Sequence, residues 1–172
     1  MDRFRLLDAS DIEVKVKQVK KTGAVLLLYK TARTDMDILD ESVGAENWTN
    51  DYREIKGNLY CGIGIRDGDA WTWKWDCGIE SREDGEGNEK KGEASDAFKR
   101  AGFRWGIGRE LYTSPFIWVP AEKMNITEYY GKCKTFDTFR VEKIAYDDNR
   151  RISGLSIVNN NNAKRAFVWT MN

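Results

Sequence analysis

The stretch that decides the fold is KKGEASDAFKRAGFRWGIGRELY, residues 90–112. As a helix it would place five small or apolar residues at i, i+3, i+4, i+7 and i+11, on one narrow stripe. They are Ala94, Ala97, Phe98, Ala101 and Trp105. Alanine lets a helix approach its neighbour closely, so we expect this helix to lie flat on a sheet. Gly106 and Gly108 then end the helix, because glycine tolerates the left-handed conformation that a helix C-terminus often needs.

The opposite side of the same helix is basic and aromatic. It carries Lys99, Arg100, Phe103 and Arg104, and Arg109 follows just after the two glycines. One interpretation is an ordinary solvated helix face. The other is a cationic groove for a phosphate backbone, which Phe103 slightly favours because base faces stack on aromatic rings while cations hold the phosphates. An exposed phenylalanine fits packing against another subunit equally well, so the pattern alone leaves these interpretations open.

The sequence KGEASDAFKRAGFRWGIGRELY, preceded by WKWDCGIES, resembles the signature of the single-strand annealing proteins of double-strand break repair. This superfamily includes the eukaryotic Rad52 protein and many bacteriophage relatives. Upstream, LLLYKTARTDMDILDESVGAENW is similar to the phage branch, so the resemblance covers residues 25–119. It implies a β-β-β-α core and ATP-independent binding and annealing of single-stranded DNA in phage-type recombination and repair. It also implies a homo-oligomer, either a ring or a helical array, with a single-strand binding protein or exonuclease of host or phage as a candidate partner.

The resemblance further implies a set of DNA-binding residues. Lys99 and Arg100 match the Lys-Arg pair in the family's inner DNA groove. Where the eukaryotic pattern has another arginine, this chain has Phe103, and Arg104 follows one position later. Arg33 matches, with a one-residue offset, a basic residue that precedes the first helix of that groove. The remaining predicted DNA-binding residues are the basic residues that flank these segments: Lys30, Lys90, Lys91 and Arg109.

Composition limits the protein to a few classes. At 172 residues the chain fits one domain, residues 1–172, with a real core. Its 28 basic and 28 acidic residues cancel, so a DNA site must come from segregating charge onto one face.

Three dispersed cysteines and no histidine exclude a structural zinc site and suit a reducing cytosol, which we expect to be the cytoplasm of a bacterial host cell. The longest apolar run, residues 24–29, is too short to span a bilayer, so no membrane partner is expected.

The order of predicted elements is that of an α+β protein, with a curved antiparallel sheet, helices on one face and a C-terminal hairpin. Alternation predicts a half-buried strand over residues 12–19, whereas the apolar run 24–29 is either a strand or the start of a helix. Thr34 with Asp37 resembles a helix cap, and Gly44 ends that helix. Strands separated by turn sequences follow at 48–55, 59–65, 70–76, 138–146 and 151–158.

Three tryptophans alternate in the third of the central strands. Trp71, Trp73 and Trp75 therefore share one face of the sheet. A base-stacking platform is one interpretation. We favour the other, in which the three indoles cover the core against the alanine-rich helix, because large aromatic side chains dominate core burial. The polar segment that follows, SREDGEGN at residues 81–88, is predicted to be a loop.

No catalytic set is visible in the sequence, so enzymatic activity is not expected. Histidine-based nucleophilic pairs are impossible without histidine, and the GxxxxGK[ST] loop of ATP-driven recombinases is absent. Neither a cofactor nor a metal is expected. Two alternatives stay open, a purely structural oligomer and a metal-dependent DNA-processing enzyme. The enzyme would use carboxylates as Mg²⁺ ligands, and the candidates are Asp76, Glu80, Glu93 and Asp96.

Overall fold

The computed structural model describes residues 3–79 and 89–172 of the chain. Contacts between residues group the chain into two compact units. Unit 1 comprises Met1–Leu6 and Lys30–Arg109, and unit 2 comprises Leu7–Tyr29 and Glu110–Asn172. The predicted loop at 81–88 lies outside the described residues, and so does Glu80. The α+β class is confirmed, whereas the assignment of one domain stays a prediction.

In chain order, the described residues form the helices and strands β1 (Glu13–Lys20), β2 (Gly23–Tyr29), α1 (Ala32–Val43), β3 (Trp48–Ile55), β4 (Asn58–Asp67), β5 (Ala70–Cys77), α2 (Glu89–Trp105), β6 (Ile117–Pro120), β7 (Thr127–Tyr129), β8 (Lys132–Lys134), β9 (Phe139–Tyr146), β10 (Ile152–Asn159) and β11 (Lys164–Thr170). Unit 1 holds both helices and β3 to β5. Unit 2 holds the other strands.

Unit 1 is built on an antiparallel sheet in the order β3-β4-β5. The turns between these strands are tight, and Gly57 and Gly68 adopt positive φ angles of 75° and 61° there. Alternate residues of β4 point to opposite faces of the sheet. Cys61, Ile63 and Ile65 point to the face on which α2 packs, and each is at most 1% exposed. The predicted three-stranded meander is therefore confirmed.

Helix α2 packs the predicted stripe against this sheet, with the three middle residues of the stripe buried and the two outer ones half-buried. Ala97, Phe98 and Ala101 are at most 1% exposed, and burial of a phenylalanine side chain of this kind contributes about 1.5–3 kcal/mol. The indole Nε1 of Trp105 donates a hydrogen bond to the carbonyl oxygen of Ile63 at 2.9 Å, which fixes the end of the helix to β4. At the other end, a Cβ on Gly78 would clash with the backbone of α2 and with Ala97. The small residues thus let strand and helix touch.

The C-terminus of α2 ends in two glycine-dependent backbone hydrogen bonds. The N–H of Gly106 donates to the carbonyl of Phe103, and the N–H of Ile107 donates to the carbonyl of Gly102, both at 3.0 Å. This pair of bonds is the Schellman arrangement, which requires a left-handed residue just after the helix. Gly106 supplies it with a φ of 95°. The prediction that glycine ends this helix is confirmed.

Helix α1 begins earlier than the sequence pattern indicated. Its N-cap is Thr31, whose Oγ1 accepts a hydrogen bond from the N–H of Thr34 at 3.3 Å. Thr34 is itself buried inside the first turn, so the prediction that it caps the helix was wrong by three positions. Arg33 consequently lies within the helix rather than before it. Gly44 ends the helix with a φ of 88°, as predicted.

The three alternating tryptophans lie on the face of the sheet opposite α2. Trp73 is the cross-strand partner of Gly64, and Trp75 is the cross-strand partner of Gly62. These two glycines alternate along β4 with the residues that face the helix, so they belong to the opposite face. Trp71 and Trp73 remain 41% and 38% exposed. The expectation that the three indoles cover the core under α2 was therefore wrong. Alternation had placed them on one face without deciding which face.

Unit 2 is built on an antiparallel sheet in the order β11-β10-β9-β1-β2-β6. Its C-terminal part, β9-β10-β11, confirms the predicted hairpin, and the ambiguous apolar run is the strand β2. Strand β1 joins the two halves of the sheet through the pairing of Glu13 with Arg140. Buried residues such as Leu26, Val119 and Ile157 form the core of this unit. None of the helices that the structure describes is long and apolar enough to cross a membrane.

Candidate nucleic-acid interface

The side of α2 next to β5 carries two exposed arginines that share one carboxylate. Arg100 and Arg104 are one helical turn apart, and their Nε atoms lie 3.7 Å and 3.0 Å from the oxygens of Asp76 on β5. Partial burial raises the pKa of Asp76, but the hydrogen bonds from Arg104 and the Cys77 N–H, together with the arginine charges, lower the pKa below its ordinary value. Asp76 is therefore an anion set between two predicted DNA-binding residues.

Lys74 is a further cation at this surface and was not among the predicted DNA-binding residues. Its Nζ donates to the carbonyl oxygen of Arg104 at 3.3 Å and lies 4.6 Å from the ring centre of Trp105. The signal was present in the sequence, because Lys74 alternates with the tryptophans of β5 and must lie on the opposite face from them. That face is the one that carries α2.

Lys30 does not belong to the surface at all. It is 1% exposed, and its Nζ donates to Asp35 at 2.5 Å and to the carbonyl oxygens of Lys99 and Ile107 at 3.2 Å and 3.0 Å. These contacts contradict the prediction that Lys30 binds a phosphate, because a buried ammonium group that is already hydrogen-bonded cannot reach the backbone of a bound strand. Lys30 instead ties the start of α1 to the end of α2.

Asp35 is the fully buried partner of this lysine. Burial raises the pKa of its carboxyl group, while the charges of Lys30 and Lys99 lower it, and the result is a raised value of about 6. Its second oxygen, Oδ2, accepts no hydrogen bond from the described residues. A Cβ at Gly102 would come within 2.9 Å of this oxygen and 3.1 Å of the lysine Nζ, so glycine leaves room for the ion pair beneath the helix.

The ion pair brings together predicted DNA-binding residues that are far apart in the sequence. It sets the first turn of α1, which carries Arg33, against the segment of α2 that includes Lys99. Arg33 is exposed and Lys99 is half-buried. Arg33 and Lys99 therefore lie on neighbouring helices of unit 1. Helix α1 is otherwise acidic, so the excess of positive charge belongs to α2.

The other predicted residues have more varied surroundings. Phe103 is half-buried, with the Nζ of Lys30 3.9 Å from its ring centre, so one part of the ring is engaged inside unit 1. The guanidinium group of Arg109 donates to the carbonyls of Phe103 and Arg104 at 2.8–3.2 Å and so caps the end of α2. Lys90 and Lys91 are exposed at the start of α2.

Two of the candidate metal ligands accept hydrogen bonds from the backbone of unit 1. Glu93 accepts a hydrogen bond from the N–H of Leu59 at 3.3 Å, and Asp96 accepts one from the N–H of Ile79 at 3.0 Å. Over residues 3–79 and 89–172, no group of three histidine, cysteine or acidic side chains is placed to hold a metal ion.

Comparison with known proteins gives a match to a family model. The model of a family described as Rad52/22 family double-strand break repair protein matches residues 5–129, well over half of the chain. This range includes α1, α2 and the β3-β4-β5 sheet. Neither the curated proteins nor the solved structures contain a match to the chain.

Proposed function

The chain belongs to the Rad52/22 family of double-strand break repair proteins, and on that premise we propose that it binds single-stranded DNA and anneals complementary strands without ATP. The observation that carries the proposal is the family match over the segment that contains α1 and the basic helix α2. Membership itself gives a role in DNA repair or recombination. The finer activity is supported by the exposed arginines of α1 and α2, since phosphate contacts supply most of the affinity of sequence-independent DNA binding.

The proposed mechanism needs no bond to be made or broken by the protein. Arg33, Lys99, Arg100 and Arg104 hold one strand by its phosphates, and the bases point outward with their pairing edges accessible to a complementary strand. Lys74 adds positive charge at the same surface. Because phosphates carry no sequence information, binding is indifferent to base sequence and weakens steeply with salt.

We also propose that the protein acts as a homo-oligomer in phage-type recombination, in the cytoplasm of a bacterial host. A ring or helical array would align the α2 helices of successive subunits along one strand. Its assembly mass, measured by light scattering with and without single-stranded DNA, should exceed that of the 19.9 kDa chain. A monomer at micromolar concentration under both conditions would contradict this part of the proposal.

The decisive experiment is an annealing assay with two complementary labelled oligonucleotides and no nucleotide cofactor. The protein should accelerate pairing, with or without Mg²⁺, at about 50 mM salt and much less at about 200 mM salt. Absence of DNA binding at the lower salt concentration would contradict the proposal and favour a structural oligomer. Mg²⁺-dependent cleavage of either strand would instead favour a nuclease.

Replacement of Asp76 by asparagine should strengthen binding to single-stranded DNA. The substitution removes the carboxylate that Arg100 and Arg104 share while keeping the size of the side chain. A unit charge about 4 Å away is worth about 1 kcal/mol in water, so we expect about a fivefold gain in affinity at low salt. Fluorescence anisotropy with a labelled oligonucleotide measures the affinity of both proteins.

The matched control for this gain is Asp147→Asn, which removes a carboxylate that pairs with Arg151 in unit 2. It should leave the affinity unchanged. Equal affinities of the Asp76→Asn variant and the unmodified protein would show that these arginines do not contact the DNA.

A further inference from the structure

The face of the β3-β4-β5 sheet opposite α2 presents an aromatic surface, which we call the aromatic face and define by Trp71, Trp73 and Trp75. Two of these indoles are 41% and 38% exposed, although tryptophan is normally among the most buried residues on average. An exposed group of large aromatic side chains on a folded protein usually marks a binding surface. The basic helix α2 contributes nothing to this surface, because it lies on the other face of the sheet.

Two indoles of the aromatic face, those of Trp73 and Trp75, are held flat by glycines. A Cβ at Gly64 would meet the central atoms of the Trp73 ring at 2.7–2.9 Å, and a Cβ at Gly62 would clash with the Trp75 ring in the same way. Each ring therefore rests with one side directly on the backbone of β4. The two ring planes differ by only 23°, with centroids 5.7 Å apart. This geometry directs the second side of each ring away from the sheet.

Positive charge accompanies the rings on the same face. The guanidinium group of Arg53 lies 4.6 Å from the ring centre of Trp75, and Arg66 is the cross-strand partner of Trp71. The acidic residue on this face, Asp51, forms an ion pair with Arg53 at 3.3 Å. Flat aromatic rings flanked by arginines suit a ligand that combines π-faces with negative charge.

On this basis, and on the proposed function, we propose that the aromatic face is a second contact surface for single-stranded DNA, one that stacks on the bases. Elsewhere, aromatic residues on an open sheet stack two or three bases of a single strand. The area of the aromatic face also suits a short stretch of DNA better than a protein partner, because three strands of about eight residues cover only about 370 Å². A stable protein partner usually needs about 800 Å² on each side. The helix surface holds phosphates, whereas the aromatic face holds bases.

The test compares two oligonucleotides of about 20 nucleotides, longer than the roughly 4–16 nucleotides that a single-strand module covers. One is oligothymidine, and the other has the same phosphates with abasic sugars. The unmodified protein should bind oligothymidine more tightly. Trp71→Leu with Trp73→Leu should weaken oligothymidine binding at least about fivefold, since stacking of one base is worth about 1–3 kcal/mol. It should leave abasic binding unchanged.

Two further variants make the result specific. Trp71→Leu alone should lower oligothymidine binding without loosening the sheet, because the cross-strand partner of Trp71 is an arginine rather than a covered glycine. Tyr130→Ala, which removes an 89% exposed aromatic residue from unit 2, is the matched control and should change neither affinity. Circular dichroism of each variant checks the fold.

Three results would overturn the proposal. Equal affinity of the unmodified protein for the two oligonucleotides would show that no stacking site exists. Unchanged oligothymidine binding by the folded tryptophan variants would place the stacking elsewhere. A fall in assembly mass in the tryptophan variants, with DNA binding lost only in consequence, would make the aromatic face a contact between copies of the chain. Failure of the proposed function itself looks different, because the unmodified protein would then bind neither oligonucleotide.

Discussion

Replacement of Lys30 by methionine should lower the free energy of unfolding by about 3–5 kcal/mol, which is the usual effect of removing one member of a buried ion pair. The substitution keeps the length of the side chain but leaves the Asp35 carboxylate fully buried without its ammonium partner. It also removes the hydrogen bonds to the carbonyls of Lys99 and Ile107. The shift of the midpoint of urea unfolding measures the effect.

The double variant Lys30→Met with Asp35→Leu separates charge from packing. Replacement of both members of a buried pair by apolar residues is often nearly neutral, so most of the lost stability should return. Lys143→Met, at an exposed position of β9, is the matched control and should stay within about 0.5 kcal/mol of the unmodified protein. A loss of less than about 1 kcal/mol in the single variant would show that Asp35 takes up a proton or that water replaces the lysine, and would contradict the expected effect.

Joint replacement of Lys99 and Arg100 by alanine should abolish most single-strand binding. Each phosphate contact adds about 0.7 to the slope of log affinity against log salt, so two lost contacts should reduce the slope by about 1.4 and the affinity roughly 50-fold at about 50 mM salt. Neither side chain belongs to the buried stripe of α2. A titration at several salt concentrations gives both quantities.

The control for this pair is Lys132→Ala with Lys134→Ala, which removes two exposed lysines of β8 in unit 2. The control variant should keep the slope and the affinity. Circular dichroism and light scattering on the same samples detect unfolding or loss of assembly. If the Lys99 and Arg100 variant keeps the full salt slope, or loses binding only because it no longer assembles, these two residues do not contact the DNA.

The spacing of apolar residues and glycines along the chain predicted helix α2 and the ends of both helices in unit 1. The stripe of α2 follows from the 3.6-residue period, and the ends of both helices follow from glycines that adopt positive φ. The start of α1 was misplaced because Thr31 and Thr34 are equally good capping residues, and only the backbone angles of the folded chain distinguish them.

The burial of Lys30 could not be predicted from its neighbours. Its sequence context, YKTAR, is that of an exposed basic residue. Its contacts are the carbonyls of Lys99 and Ile107, 69 and 77 positions away. The same limit applies to Asp76, whose partners Arg100 and Arg104 belong to a different element. Long-range contacts decided which charges of the candidate site are available to a ligand and which are held inside the protein.

The glycines beneath the indoles have an evolutionary consequence. The ring of Trp75 fills the space that a side chain at position 62 would need, and the ring of Trp73 fills the space that a side chain at position 64 would need. Neither member of a pair can change freely, because a side chain on the glycine would displace the ring and a small residue at the tryptophan position would leave the backbone of β4 uncovered. Related sequences should therefore change positions 62 and 75 together, and likewise 64 and 73. An alignment in which the members of each pair vary independently would show that the rings do not rest on these glycines throughout the family.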